Sequence, residues 1–220
     1  MPSSDWDRTA VVGYWDAVAA RYLELFRDEF SAKPFDRAVI RVFAADLGAG
    51  AAILDAGCGP CGQVARLLSD YGATVTGVDI SSACIALARQ EEPALRFEVM
   101  DMADTAFEDG SFDGVVAYYA LHYQPKQSLA GVVREFARVL RGGGRLLLVA
   151  KEGSGEGWIA DPLGITGTVF WSAMSQDELM QLVADNGFDV VGCEAREALA
   201  QEIDVRRLYL TARRKESLVR

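Results

Sequence analysis

One histidine, His122, serves all 220 residues. Only one side chain is therefore suited by its unperturbed pKa to accept a proton near neutral pH. Cysteine is scarce and scattered. Of Cys58, Cys61, Cys84 and Cys193 only the first two are close in the chain, a pattern unlike the disulfide framework of a secreted domain. No apolar run approaches the ~20 residues that a membrane span requires. The opening residues, MPSSDWDRTA, have neither the basic nor the apolar region of a signal peptide. Positive charge is in deficit, with 22 Lys and Arg against 32 Asp and Glu and a net charge of −10. Such a surface repels phosphate backbones, so no nucleic-acid partner is expected. Together these shortages predict a soluble cytoplasmic protein with reduced thiols and no membrane partner.

What is present is an ordinary core. Half of the residues are apolar and 25% are charged, enough to bury one α/β domain of this length. Residues 8–30 carry apolar groups at helical spacing, read as two helices around Gly13, and residues 35–47 form another helix that stops near Gly48 and Gly50. From residue 51 the pattern alternates. AAILDAG, ATVTGVD, LRFEVMD, FDGVVAYY and RLLLVAK read as strands, and QVARLLSDYG, SSACIALARQ and QSLAGVVREFARVL as helices, the last stopped by Gly142-Gly143-Gly144. Continuous apolar strands alternating with helices indicate a mostly parallel sheet covered on both faces. Residues 152–174 look like a long loop, and SQDELMQLVADNGF like a helix with Ser175 and Glu178 as a capping box. DVVGCEAREAL and DVRRLYLTARR follow as β-rich runs able to pair antiparallel at one edge. Six basic residues between 205 and 220, including Arg206, Arg207, Arg213 and Arg220, face a single acid, Glu216. The plain reading is a solvated last strand; the functional one is a local site for an anion.

The chemistry concentrates in ILDAGCGPCGQVARLL, residues 53–68. Cys58-Gly59-Pro60-Cys61 matches the thioredoxin redox motif, but Gly57 stands where thioredoxin has Trp, and that fold needs only about half of this chain. Gly57-x-Gly59-x-x-Gly62 after a strand and before a helix matches a dinucleotide turn, with Asp79 at the end of the next strand to take ribose hydroxyls. Asp55 speaks against a pyrophosphate there, because a carboxylate closing a buried strand repels it. It favours a ligand that offers a cation or a hydrogen-bond donor.

Four segments in order carry a family likeness: Ile53 to Gly62; Val75 to Ser81; Met100-Asp101-Met102-Ala103-Asp104 followed by Phe107 to Asp113; and Val139 to Leu148. Through them the chain resembles the class I S-adenosylmethionine-dependent methyltransferases. The resemblance implies a Rossmann-like, seven-stranded, mostly parallel sheet with one antiparallel strand near its edge, helices on both faces and an N-terminal helical lid. It implies one domain over 1–220, with a helical cap at 1–49, a cofactor-binding half at 50–152 and a substrate side at 153–220.

By the same resemblance Gly57 and Gly59 approach the methionine portion of S-adenosylmethionine, and Asp55 lies near its amino group. Asp79 takes the ribose and Ile80 packs on the adenine. Asp101 and Met102 meet the adenine edge, and Ala117 lines the methionine arm. Tyr14, Trp15 and Tyr22 belong to the segment that folds over the cofactor. Tyr118, Tyr119, Trp158, Phe170 and Trp171 fall on the substrate side, where KEGSGEGW, DPLG and FW resemble a bacterial small-molecule subgroup. His122 is a candidate general base or a residue that orders the pocket. No metal is expected, since no trio of acidic ligands is apparent. The implied reaction moves a methyl group to oxygen or nitrogen of a small-molecule acceptor and releases S-adenosylhomocysteine. An NAD(P)-dependent oxidoreductase and a non-catalytic cofactor-binding protein are the alternatives, and a homodimer stays open.

Overall fold

A computed structural model describes residues 6–160 and 164–216. Residues 1–5, Asp161, Pro162, Leu163 and residues 217–220, with Arg220 among them, lie outside the described residues, so only Gly164 of the DPLG segment is described. Seven strands form the main sheet: β1 (Ala52–Ala56), β2 (Thr74–Asp79), β3 (Arg96–Val99), β4 (Phe112–Tyr118), β5 (Leu140–Lys151), β8 (Phe188–Arg196) and β9 (Arg207–Arg214). Their order is β3-β2-β1-β4-β5-β9-β8. The first five are parallel, and β9 runs antiparallel between β5 and β8. Neighbouring residues of the apolar strands point to opposite faces. Leu54, Val115, Leu146 and Leu148 pack with Phe136 and Val183 on one side. Ile53, Val116 and Leu147 pack with Ile40, Leu68 and Ile85 on the other. The helices follow that division. Helices α2 (Pro34–Leu47), α3 (Gln63–Asp70) and α4 (Ser82–Glu91) cover the second side, and α5 (Lys126–Val139) and α6 (Gln176–Asp185) cover the first.

Several boundaries differ from the sequence reading. Helix α1 (Arg8–Phe26) runs unbroken through Gly13. A mid-helix glycine costs about 1 kcal/mol, and the packing of Val11, Val18, Ala19 and Leu23 outweighs it. Helix α5 ends at Val139 rather than at the three glycines, because Leu140 turns extended and begins β5. The glycines lie inside that strand, where its register against β4 shifts between Phe112 and Gly114. The expected loop 152–174 contains an antiparallel hairpin, β6 (Glu156–Ala160) with β7 (Thr168–Ser172), pairing Trp158 with Phe170. The basic last strand is not a solvated edge. It lies inside the sheet, and Arg207 is 2% exposed. The capping box at Ser175 and Glu178 is present.

Helix α1 and the hairpin pack on each other through Tyr14, Val18, Ile165 and Val169, with Trp15, Tyr123 and Ile159 around them. The N-terminal helix and the inserted hairpin thus form one cover over the carboxyl ends of the strands.

Candidate active site

Strand order reverses between β1 and β4, and the crevice outside such a switch point is where open α/β sheets bind ligands. A cavity of about 520 Å³ opens there. Polar residues stand at or beside the carboxyl ends of the strands below it: Asp55 on β1, Asp79 on β2, Asp101 after β3, Tyr118 on β4 and Lys151 on β5. Asp55, Asp79 and Lys151 each close a buried strand at the point where the sheet ends and the cavity begins.

The glycine turn is held from below. The N–H groups of Gly57 and Cys58 donate to the Val78 carbonyl. Gly57 has φ +76°, and a Cβ there would lie 2.4 Å from the Ala120 Cβ. Its need for glycine is therefore internal to the protein. Gly59 has φ +62° with open space where a Cβ would sit. Its N–H donates to Asp79 Oδ2 at 3.0 Å, and the Ser81 N–H donates to Asp79 Oδ1 at 2.9 Å. Asp79 thus ties the glycine turn to the start of α4.

Asp55 is 1% exposed, and its Oδ2 has no hydrogen-bond partner among the described residues. Burial, reinforced by the charge of Asp79, pushes its carboxyl up to about 7. Burial pushes Asp79 up to about 6, against the pull of the Ser81 and Gly59 N–H groups. Two carboxyls in one crevice with no cation beside them among the described residues fit a ligand that brings a positive charge and hydrogen-bond donors. The thiols do the opposite of what redox chemistry needs. Burial pushes Cys61 up to about 12 and raises Cys58 well above the ordinary thiol range.

Gly57, Gly59, Asp55, Asp79, Ile80, Asp101, Met102, Tyr22, Tyr118 and Tyr119 all line the cavity. Asp101 takes the Ala103 N–H at 2.9 Å and pairs with Arg8 of α1 at 3.0 Å, which ties the cover to this end of the crevice. Other expected residues do not reach it. Ala117 points into the core on the α5 side, because alternation along β4 turns it away, and Ala120 lines the cavity instead. Tyr14 packs inside the cover against Gly167 and the Trp15 edge, and its neighbour Trp15 is the lining residue. Trp158 and Phe170 pair edge to face across the hairpin at 5.8 Å, away from the cavity. Trp171 lies one layer behind it, stacked on His122 at 4.4 Å.

His122 is not placed as a base. It is 2% exposed and absent from the cavity wall. Its Nδ1 faces the Ser172 carbonyl at 3.1 Å, and its Nε2 accepts the Lys151 N–H at 2.9 Å. Burial, with the charge of Lys151, pushes its pKa down to about 3. The neutral ring is a strut between the hairpin and the end of β5.

A second polar group at the β4–β5–β9 end, apart from Tyr118, Tyr119 and Trp171, escaped the sequence reading. Lys33 bonds Glu29 at 3.0 Å and Glu202 at 3.1 Å. Arg207 faces Glu202 at 3.5 Å and donates to the carbonyls of Ile203 and Val205. Tyr118 donates to Asp36 at 2.5 Å. Lys151 lies over the ring faces of Tyr119 and Trp171, at 5.4 Å and 5.0 Å. The available signal was a lysine closing the apolar run RLLLVA, the same kind of signal that marked Asp79.

The fold and crevice define a class of protein, an open α/β domain that binds a nucleoside-bearing ligand at its switch point. Comparison with known proteins narrows the class. A family model described as a methyltransferase domain matches residues 54–148. A 27-O-demethylrifamycin SV methyltransferase of Amycolatopsis mediterranei is 32% identical over 65% of this chain and 51% of its own length. A demethylmenaquinone methyltransferase of Beutenbergia cavernae is 35% identical over 67% of this chain and 61% of its own. The chain spans about half the length of the curated relatives it matches. The 1,6-didemethyltoxoflavin-N1-methyltransferase of Burkholderia thailandensis, solved with bound 1,6-didemethyltoxoflavin and S-adenosylhomocysteine, has a similar fold with a TM-score of 0.64. It is 22% identical, over 96% of this chain and 93% of that one. Residues 54–148 thus match a methyltransferase domain, and the chain has the fold of the class I S-adenosylmethionine-dependent methyltransferases.

Proposed function

We propose that this protein transfers a methyl group from S-adenosylmethionine to oxygen or nitrogen of a small-molecule acceptor in the cytoplasm, releasing S-adenosylhomocysteine. The observation that carries the reading is the Asp55–Asp79 pair, two buried carboxyls with raised pKa values and no cation beside them among the described residues. A ligand with an ammonium and a ribose diol supplies what they lack, whereas a pyrophosphate worsens their repulsion. The names of the relatives, small-molecule methyltransferases, support the same reading.

When bound, S-adenosylmethionine supplies an electrophilic methyl on a sulfonium that leaves as a neutral thioether. The chain's own groups then have distinct tasks. Asp55 receives the ammonium end, and Asp79 receives the ribose hydroxyls while holding the Gly59 turn. Asp101 and Met102 frame the adenine end beneath Arg8. Trp15 and Tyr22 close the crevice from above and keep water out. Alignment in a dry cleft, rather than a histidine base, is the main contribution to rate.

Calorimetric titration with S-adenosylhomocysteine, and with NADH in parallel, tests the proposal. Binding of S-adenosylhomocysteine alone is expected, weakened about tenfold or more in Asp79→Asn by loss of the charge on the hydrogen-bonding carboxylate. Binding of NADH in its place sinks the methyl-transfer reading.

A further inference from the structure

Among the described residues the cavity holds three cations at its β4–β5–β9 end, and two of them have a carboxylate within ion-pair distance, sharing Glu202 with Arg196. Lys33 lies between Glu29 and Glu202, and Arg207 is matched by Glu202 and two carbonyls. Lys151 has no carboxylate within ion-pair distance among the described residues, although it lines the same cavity. Among the described residues its ammonium lies against the faces of Tyr119 and Trp171, and Glu29 and Glu202 act on it only as charges beyond ion-pair distance.

This lysine is also built in. His122 accepts its backbone N–H, and Trp171 stacks on His122 while lying beneath the ammonium. Tyr119 holds φ +55°, a left-handed backbone unusual for a tyrosine, and its N–H donates to Val149 on β5. A strained aromatic, a buried histidine and a hairpin tryptophan all support one unpaired charge. Strain and preorganisation of this kind collect where a ligand is gripped.

We propose that Lys151 is the acceptor-recognition residue, and that the acceptor is a planar, largely apolar molecule carrying an anionic oxygen, a carboxylate or an ionised phenol or enol, which the Lys151 ammonium receives. The planar body follows from the rings of Phe30, Tyr118 and Tyr119 along this end of the cavity. Phe30 and Tyr118 pack at 5.2 Å and Tyr118 and Tyr119 at 4.4 Å, which gives a continuous aromatic wall. Burial, with Arg207 adding to it, holds the Lys151 amine down at about 8. An oxyanion beside it removes that penalty. The inference rests on the methyl-transfer reading for the acceptor's role, but the anion site itself does not.

The test measures two probe pairs against the full chain, with and without S-adenosylhomocysteine, near neutral pH. One pair is benzoate and benzamide; the other is 4-nitrophenolate and 4-nitroanisole. At least one anion is expected to bind about tenfold or more tightly than its neutral partner, the scale of one charge-assisted contact. That preference should vanish in Lys151→Met and persist in Lys151→Arg. Preference for benzoate alone assigns a carboxylate, preference for the phenolate alone assigns an acidic hydroxyl, and preference for both leaves the anionic oxygen as the shared feature; each supports the site. Equal binding of anion and neutral partner, a preference unchanged in Lys151→Met, or no anion binding at millimolar concentration overturns it. Loss of S-adenosylhomocysteine binding with the anion preference intact strikes the methyl-transfer reading and leaves the site standing.

Discussion

Gly57 shows how a residue's identity is set by more than the ligand above it. The resemblance explained this glycine by the approach of a cofactor, yet the nearest obstacle to a side chain is Ala120, 2.4 Å from a Cβ built there. Its φ of +76° adds a second penalty, because L residues tolerate the left-handed region poorly. The two costs can be separated. Gly57→Ala should lower stability by about 2–4 kcal/mol, summing a backbone cost of about 1–2 with a clash of similar size. Adding Ala120→Gly removes the clash and leaves the backbone term, so urea unfolding of the double variant should recover about half of the loss. If the two single effects simply add, the contact between positions 57 and 120 has no energetic weight and the turn is shaped by φ alone.

Among the secondary elements, the cover was the least legible part of the chain. Asp55 and Asp79 could be singled out because a carboxylate ending a buried strand conflicts with burial, and that conflict is visible in one dimension, whereas Asp101 was named by the resemblance alone. Lys151 makes the same conflict on β5, but the glycine-rich text after it looked like loop. Which face a strand residue takes is less visible. Ala117 was expected in the cavity and lies in the core because its register on β4 points it the other way. Trp158 and Phe170 were read as substrate contacts, whereas pairing β6 with β7 spends them on each other. That pairing joins residues across a glycine-bearing turn, and no local periodicity announced it.

Helix α1 is legible as a helix, but its fastening is tertiary: Asp16 accepts the Ser81 hydroxyl at 2.6 Å and the Ala83 N–H at 3.0 Å, at the N-terminus of α4. Ser81 in turn caps α4 through the Cys84 N–H. Asp16→Ala should cost about 1 kcal/mol, the scale of a lost helix cap. Hydrogen exchange should rise along α1 while the strands stay protected, and cofactor affinity should fall with the loosened cover. Unchanged exchange in α1 would show that its packing and the Arg8–Asp101 pair hold it down without Asp16.

The whole molecule sets a net negative chain against a cleft whose two ends differ in sign, with carboxyls over β1, β2 and β3 and an unpaired ammonium over β5. The buried groups make stability depend on pH in opposite directions. Asp55 and Asp79 rise from an ordinary 3.8 to about 7 and about 6 on folding. Between those values the folded chain binds more protons than the unfolded one, so their contribution is present below 3.8 and is lost as pH rises through 6 and 7. His122 falls from 6.5 to about 3, so its contribution is present above 6.5 and is lost as pH falls towards 3. Two carboxyls outweigh one imidazole, and from these groups the free protein is more stable near pH ~5 than at neutrality. A ligand ammonium beside Asp55 favours the carboxylate and returns its pKa towards the ordinary value. The increment in melting temperature given by saturating S-adenosylhomocysteine should therefore grow between pH ~5 and pH ~8, because binding releases a proton at the low end and none at the high end. Scans across that range, repeated in buffers of different ionisation enthalpy, report the proton directly. Asp55→Asn should flatten the trend. A ligand increment that stays constant across the range in the wild-type chain would place the ammonium away from Asp55 and remove that carboxyl from the cofactor site.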